Sequence, residues 1–207
     1  MMKMKMKAEN VQVKLRNAVL AWSNSDKTTI WGEGIAKKSD SGRVSTTWGC
    51  NFKIPKENVA TYDEIQAAIL KAANSKWPGK GSAMVKFLTE QGNTFFGDGD
   101  ANPLAESNHG FWIVRATMRA APQVFVRNLE NPGTPKTVYD GCIVNALVEI
   151  WCSDNDFGKR LCASSPGIIK VADGEIVGGG GRPAKKEDLM DLSVPDDEDD
   201  DLGDIPF

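Results

Sequence analysis

The sequence predicts a mostly β domain: a small closed or nearly closed barrel of five principal strands, with one helix set into the middle connection. Three observations predict it. Short runs of alternating apolar and polar residues recur along the chain, Gly-containing turns separate them, and only residues 61–77 carry a convincing helical period. With 207 residues and 41% hydrophobic content, the chain can bury one sizeable core. A β-sandwich is the alternative arrangement of the same strands.

Residues 11–20, VQVKLRNAVL, open with strict alternation, so Val11, Val13 and Leu15 face a core while Lys14 and Arg16 face outward. TTIWGEG (28–34) and RVSTTWGCNFKI (43–54) flank the polar turn KKSDSG and read as a hairpin. In its second arm Trp48, Cys50, Phe52 and Ile54 share one face, and Asn51 and Lys53 the other. The helix follows over 61–77, with Thr61 as N-cap, Glu64 at the capping-box position, and a stripe of Ile65, Ala68, Ile69 and Ala72. Trp77-Pro78-Gly79 ends it, and the Gly-rich, polar residues beyond read as a long ordered insertion. Strands resume at 111–120, 123–128, 140–154 and 159–174, the last two joined by an Asp154-Asn155-Asp156-Phe157-Gly158 turn. Five strands with a helix in the middle connection match the OB-fold, whose second and third strands and first and last hairpin loops bind single strands. The expected organisation is an N-terminal arm (1–10), an OB-fold domain (11–176), and a flexible Gly-rich linker with an acidic, disordered tail (177–207).

Charge is divided unevenly along the chain. Ten of the 28 acids lie between Glu187 and Phe207 with no base among them, which leaves a body of +7 and a tail of −10. A basic body tethered to its own polyanion points to a polyanion-binding surface with a built-in competitor, nucleic acid being the obvious polyanion. No apolar run approaches the roughly 18–20 residues that cross a bilayer, and the Lys/Met alternation of the first seven residues lacks the apolar centre of a signal peptide. No membrane partner and a cytoplasmic location are expected.

Enzymatic chemistry finds little support. Cys50, Cys142, Cys152 and Cys162 form no C-x-x-C pair and sit in apolar runs, as small buried hydrophobes do. His109 is the only histidine, which removes most Ser-His and Cys-His schemes. PGKGS (78–82) lacks the spacing and preceding strand of a phosphate loop. DNDFGK (154–159) lacks the closing Glu of an EF-hand, and GDGD (97–100) has no third carboxylate nearby for a two-metal nuclease. Neither cofactor nor metal is expected.

What remains is aromatics interleaved with bases: Lys14 and Arg16, Trp31, Lys53, Trp77 with Lys80, Phe111 with Arg115 and Arg119, and Phe125 with Arg127. Sequence-tolerant single-strand binding needs these types, because every base offers a π-face and every phosphate a charge. Alternation in FWIVRATMR sets Phe111, Ile113, Arg115, Thr117 and Arg119 on one face, the two arginines marking it as outer, and turns Trp112, Val114 and Met118 inward. By the same logic Phe125 and Arg127 lie outside and Val124 and Val126 inside.

The chain ends DDEDDDLGDIPF, and an exposed Ile and Phe at the tip of a polyanion suggest something that binds them. This ending resembles the acidic tip, finishing in Asp-Ile-Pro-Phe, of bacterial single-stranded-DNA-binding proteins. The body is similar to a family of phage-encoded single-stranded-DNA-binding proteins, through NFKIPKEN and the following helix (51–76), the GDGD turn, YDGCIVNALVEIWC (139–152) and GIIKVADGEIVGG (167–179). The resemblance implies an OB-fold protein that coats single strands during phage DNA replication, recombination and repair, in the host cytoplasm. It further implies that Asp204, Ile205, Pro206 and Phe207 dock on replication or recombination proteins, Phe207 as the anchor. A strand-annealing recombination protein and a DNA-mimic inhibitor are the other readings, and monomer or dimer is left open.

Overall fold

A computed structural model describes residues 10–21, 29–38, 42, 44–103 and 105–175. The tail and its tip, Asp204 to Phe207, lie outside the described residues, as does the expected linker.

Five long strands dominate: β1 (Val11–Ala21), β3 (Val44–Pro55), β5 (Phe111–Met118), β8 (Ile143–Asn155) and β9 (Gly158–Ala172). They are hydrogen-bonded in the order β5-β3-β1-β8-β9, all antiparallel, and β9 returns alongside β5. Counted one to five in chain order, the sequence is 3-2-1-4-5 with the outer two meeting, the partly open barrel of an OB-fold. Short strands extend it: β2 (Ile35–Lys38) on β3, β4 (Phe96–Asp98) on β5, β6 (Gln123–Val126) parallel to β9, and β7 (Asn128–Pro132) on β6.

Period-two patterning builds the core. Leu20, Phe52, Val114 and Phe96 lie in register across four strands and are all buried, Phe52 completely. On β1 the alternation holds through Leu15, with Lys14 and Arg16 exposed, and then breaks at a bulge. Asn17 sits there at φ +52°, its amide donating to Asn145 Oδ1 at 3.0 Å, and the shift returns Ala18 and Leu20 to the core.

Several expectations are corrected. The first hairpin arm is Ile35–Lys38, not 28–34, because Gly32 and Gly34 take φ of +65° and +71° and turn the preceding chain. Helix α1 (Val59–Lys76) starts earlier than expected: Asn58 is its N-cap, accepting from the Thr61 amide at 3.2 Å, and Thr61 is buried in the first turn. The insertion after it holds a second helix, α2 (Gly81–Glu90). Its tight seat on α1 explains the glycine at its start: a Cβ on Gly81 would come 2.1 Å from Asn74 Oδ1.

Candidate nucleic-acid interface

The outer face of β3 and β5 follows from register. Gly49 lies opposite Thr117, Asn51 opposite Arg115, and Lys53 opposite Ile113, while Cys50, Phe52, Val114 and Ala116 point into the barrel. Arg115 is exposed, and its one side-chain hydrogen bond among the described residues is long, 3.4 Å from Nη2 to the Thr94 carbonyl. Gly97 of β4 leaves room for it, since a Cβ there would stand 3.4 Å from the same nitrogen. The guanidinium is thus supported by the strand surface yet free to meet an anion.

Lys53 departs from the expected solvent-facing base. The strand does turn it outward, but the chain between β4 and β5 folds over it: only 5% exposed, it donates from Nζ to the Ser107 carbonyl at 2.8 Å. Burial pushes its pKa down, with the Asp140 carboxylate acting in the opposite direction. Ile113, beside it, is buried under the same cover. That cover is pinned by the GDGD motif. Lys56 bridges Asp98 and Asp100 at 2.5 and 2.6 Å and lies 4.6 Å over the Trp112 ring, while Asp100 accepts from the Gly110 amide at 2.7 Å. These bonds raise the Lys56 pKa and lower that of Asp100, and Trp112 stacks on Phe96 behind them. The two carboxylates therefore serve as counterions to Lys56. Phe111, half-buried opposite Pro55, sits at the edge of this cover.

The β3–β5 face runs toward two loops. At one end Trp48 lies opposite Met118, donates from Nε1 to the Gly32 carbonyl at 3.2 Å, and packs with Trp31 against the core. Arg119, exposed, leaves β5 at this end. The other loop is the β8–β9 hairpin, tied to the face through backbone. Leu161 donates to the Asn93 carbonyl at 3.0 Å and Arg115 to the Phe95 carbonyl at 2.8 Å, so residues 93–95 bridge β9 to β5. Trp77, the half-buried C-cap of α1, braces the hairpin by donating from Nε1 to Asp154 Oδ2 at 2.9 Å, and Lys80 is exposed three residues on.

The other expected site residues lie elsewhere. Lys14 and Arg16 open onto a groove of about 640 Å³ between β1 and α1, lined also by Val11, Glu64, Ala67 and Lys71. Phe125 and Arg127 lie on the far side of β9, Phe125 half-buried opposite Ile169. Arg127, at φ +66°, is exposed near a cluster in which Lys170 contacts Asp173 at 2.6 Å and lies 4.6 Å over the Tyr139 ring. Alternation assigned these side chains to the outside but did not reveal that they form separate patches. It also passed over Lys159, Arg160 and Phe157 on the β8–β9 hairpin, all exposed, although an aromatic inside a turn of Asp, Asn and Gly is itself a signal.

The cysteines behave as expected of packed thiols. Cys50, Cys142 and Cys152 are buried and Cys162 half-buried, all unpaired, and burial pushes Cys152 up to about 12. His109 is exposed in the cover, its Nε2 3.2 Å from the Asn102 carbonyl.

Comparison with known proteins agrees with this fold. Protein p50 of Acyrthosiphon pisum secondary endosymbiont phage 1 is 31% identical over 195 residues, covering 91% of this chain and 97% of that protein. The single-stranded DNA-binding protein of bacteriophage Enc34, solved in complex with single-stranded DNA, matches with a TM-score of 0.59 at 21% identity, over 84% of this chain and 97% of that one. A second structure of the Enc34 protein gives the same TM-score and identity over 86% of this chain and 93% of that one. At that identity the structural likeness speaks for the fold. Residues 29–202 match the family described as Enterobacter phage Enc34, ssDNA-binding protein, and the chain belongs to that family.

Proposed function

We propose that the chain binds single-stranded DNA with little sequence preference, along the outer face of β3 and β5. The observation that carries the reading is Arg115: an exposed, weakly engaged guanidinium on the two strands that OB-folds present to single strands, in a chain of the Enc34 family. Asn51 and Thr117 flank it with polar side chains, and Arg119 extends the charge toward the loop of Trp31. Lys14, Arg16 and Arg127 are free to hold phosphates of a longer strand that wraps the barrel. Lys53 acts indirectly, holding the cover in place. Trp31, Trp77, Phe111 and Phe125 are each half-buried, so stacking there uses an exposed ring edge or face while the rest of the ring stays packed.

In this reading the protein performs no chemical step. It coats strands during phage DNA replication and recombination, and its acidic tail recruits partner proteins through Phe207 while competing with DNA for the basic body. Fluorescence anisotropy with labelled single- and double-stranded oligonucleotides at two salt concentrations tests it. Tight, salt-sensitive binding that favours the single strand is expected. Weak binding to both removes the reading, and so does a failure of all four aromatic-to-Ala variants to weaken binding by about fivefold, less than the ~1.4 kcal/mol that makes tenfold.

A further inference from the structure

The tip of the β8–β9 hairpin carries the most exposed large apolar side chain among the described residues, Phe157 at 89%. Nothing in the turn requires it. Asn155 Oδ1 accepts from the Phe157 amide at 3.0 Å and Gly158 takes φ +107°, so the backbone is shaped by its neighbours and any polar turn residue would fit between them. The ring meets no core, and it stands on a rigid support. β8 and β9 pair without interruption from Asn155–Gly158 down to Ile150–Ala163, Trp77 braces Asp154, and Lys159 lies 4.0 Å from the same carboxylate.

Location and charge indicate what the ring is for. Arg160, exposed, precedes Leu161, whose amide bonds Asn93, and two residues along the same segment Phe95 bonds Arg115. From Phe157 to Arg115 the path is about 13 Å along the hairpin, about 7 Å along residues 93–95, and two strand spacings of about 4.8 Å across. At about 3.4 Å of strand per nucleotide this path spans about nine nucleotides, within the ~4–16 an OB-fold engages. Phe157 is therefore a flat apolar ring held out at the end of a basic track that leads onto the β3–β5 face. A double helix keeps its base faces stacked, so such a ring gains most from an unpaired base.

We propose that Phe157 stacks on an unpaired base of bound single-stranded DNA, with Arg160 and Arg115 holding the phosphates on either side, so that the hairpin tip contributes to preference for single over double strands. The inference rests on the single-strand reading above and adds a residue and a role to it. Asp156, beside the ring, opposes the approach of phosphate, and the stack must outweigh that repulsion.

The test compares wild type with Phe157→Ala, Phe157→Tyr and Asp156→Asn in the full chain, by anisotropy on labelled oligothymidine and on a duplex, with thermal melts as a folding control. Phe157→Ala should weaken single-strand binding at least about fivefold, the low end for one base-aromatic stack, and leave the melt and duplex binding unchanged. Phe157→Tyr should keep wild-type affinity, and Asp156→Asn should tighten binding at low salt. If wild type binds single strands and Phe157→Ala binds equally well, the inference fails while the broader reading stands. If wild type does not bind them, both fail. A Phe157→Ala variant with unchanged DNA affinity but an altered sedimentation coefficient would show that the tip meets protein instead, and would overturn the assignment.

Discussion

Replacing Arg115 with Gln removes a charge from the centre of the proposed interface and little else. Its side chain is exposed and its one side-chain hydrogen bond among the described residues, to the Thr94 carbonyl, is 3.4 Å long, so the melting transition should hold to within about 0.5 kcal/mol. If the guanidinium binds a phosphate, losing that charge-assisted bond should cost about 1.5 kcal/mol at low salt, roughly tenfold in Kd. The salt dependence is the sharper readout. Each phosphate neutralised on a single strand contributes ~0.7 to the slope of log affinity against log salt, so a fourfold rise in salt erases ~2.6-fold of affinity per contact. Anisotropy titrations at four or five salt concentrations should therefore give Arg115→Gln a slope shallower by ~0.7, with the two binding curves converging as salt rises. An unchanged slope with unchanged affinity would refute the placement of DNA on β3 and β5, whatever the protein binds elsewhere.

Asp100→Asn should flatten the acid limb of stability. The Lys56 hydrogen bond, then the Gly110 amide, hold the Asp100 pKa low in the folded state, so its contribution is present above the unfolded value near 4 and is lost as pH falls toward the folded one. Melts taken from about pH 5 downward should show the difference, with a residual limb from Asp173, whose pKa Lys170 lowers. Gly81→Ala should lower the melting temperature by the equivalent of about 1–3 kcal/mol, because the new Cβ would collide with Asn74 of α1. A variant that melts like wild type would show the helix junction to be looser than drawn. Deleting residues 187–207 should tighten single-strand binding at low salt and less so at high salt, since it removes ten acids, whereas Phe207→Ala should leave DNA affinity alone and abolish partner capture. Equal affinity with and without the tail at low salt would leave it as a partner hook only.

The parts of the fold that sequence exposed are those where one face of a long strand meets the core. On β5 the alternation placed Arg115 and Thr117 outward and Val114 and Met118 inward, as found, and the β8–β9 hairpin was marked by its turn. Ile113 and Lys53 show the limit. Both occupy outward positions in the period, and both are buried because a segment fifty or more residues from Lys53 lies across them, pinned by Lys56 and the GDGD carboxylates. Period-two reasoning reports the side of a strand and is blind to what covers that side. Strands β4 and β7, three and five residues long, were too short to show a period, and α2 was masked by its Gly-Ser start. The scatter of Lys14, Arg16, Phe125 and Arg127 around the barrel was hidden for a related reason: register between strands, which sets position around the circumference, depends on bulges such as the one at Arg16–Asn17.

The bases of the barrel divide by what already occupies them, and this division decides which can work on DNA. Lys56 holds two carboxylates and an aromatic face, and Lys170 a carboxylate, the Thr137 carbonyl and the Tyr139 ring. To reach a phosphate either must first give up short bonds, and giving them up would release the loop or strand end that they fix. Arg115, Arg119 and Arg160 have no such debt, being exposed and at most weakly engaged. The carbonyls and amides that position two of them, at Asn93 and Phe95, belong to the backbone, so the track from hairpin tip to barrel face is set without using the side chains that line it. Substitutions along that track should therefore change affinity and salt slope while leaving the melt in place, and substitutions at Lys56 or Lys170 should do the reverse.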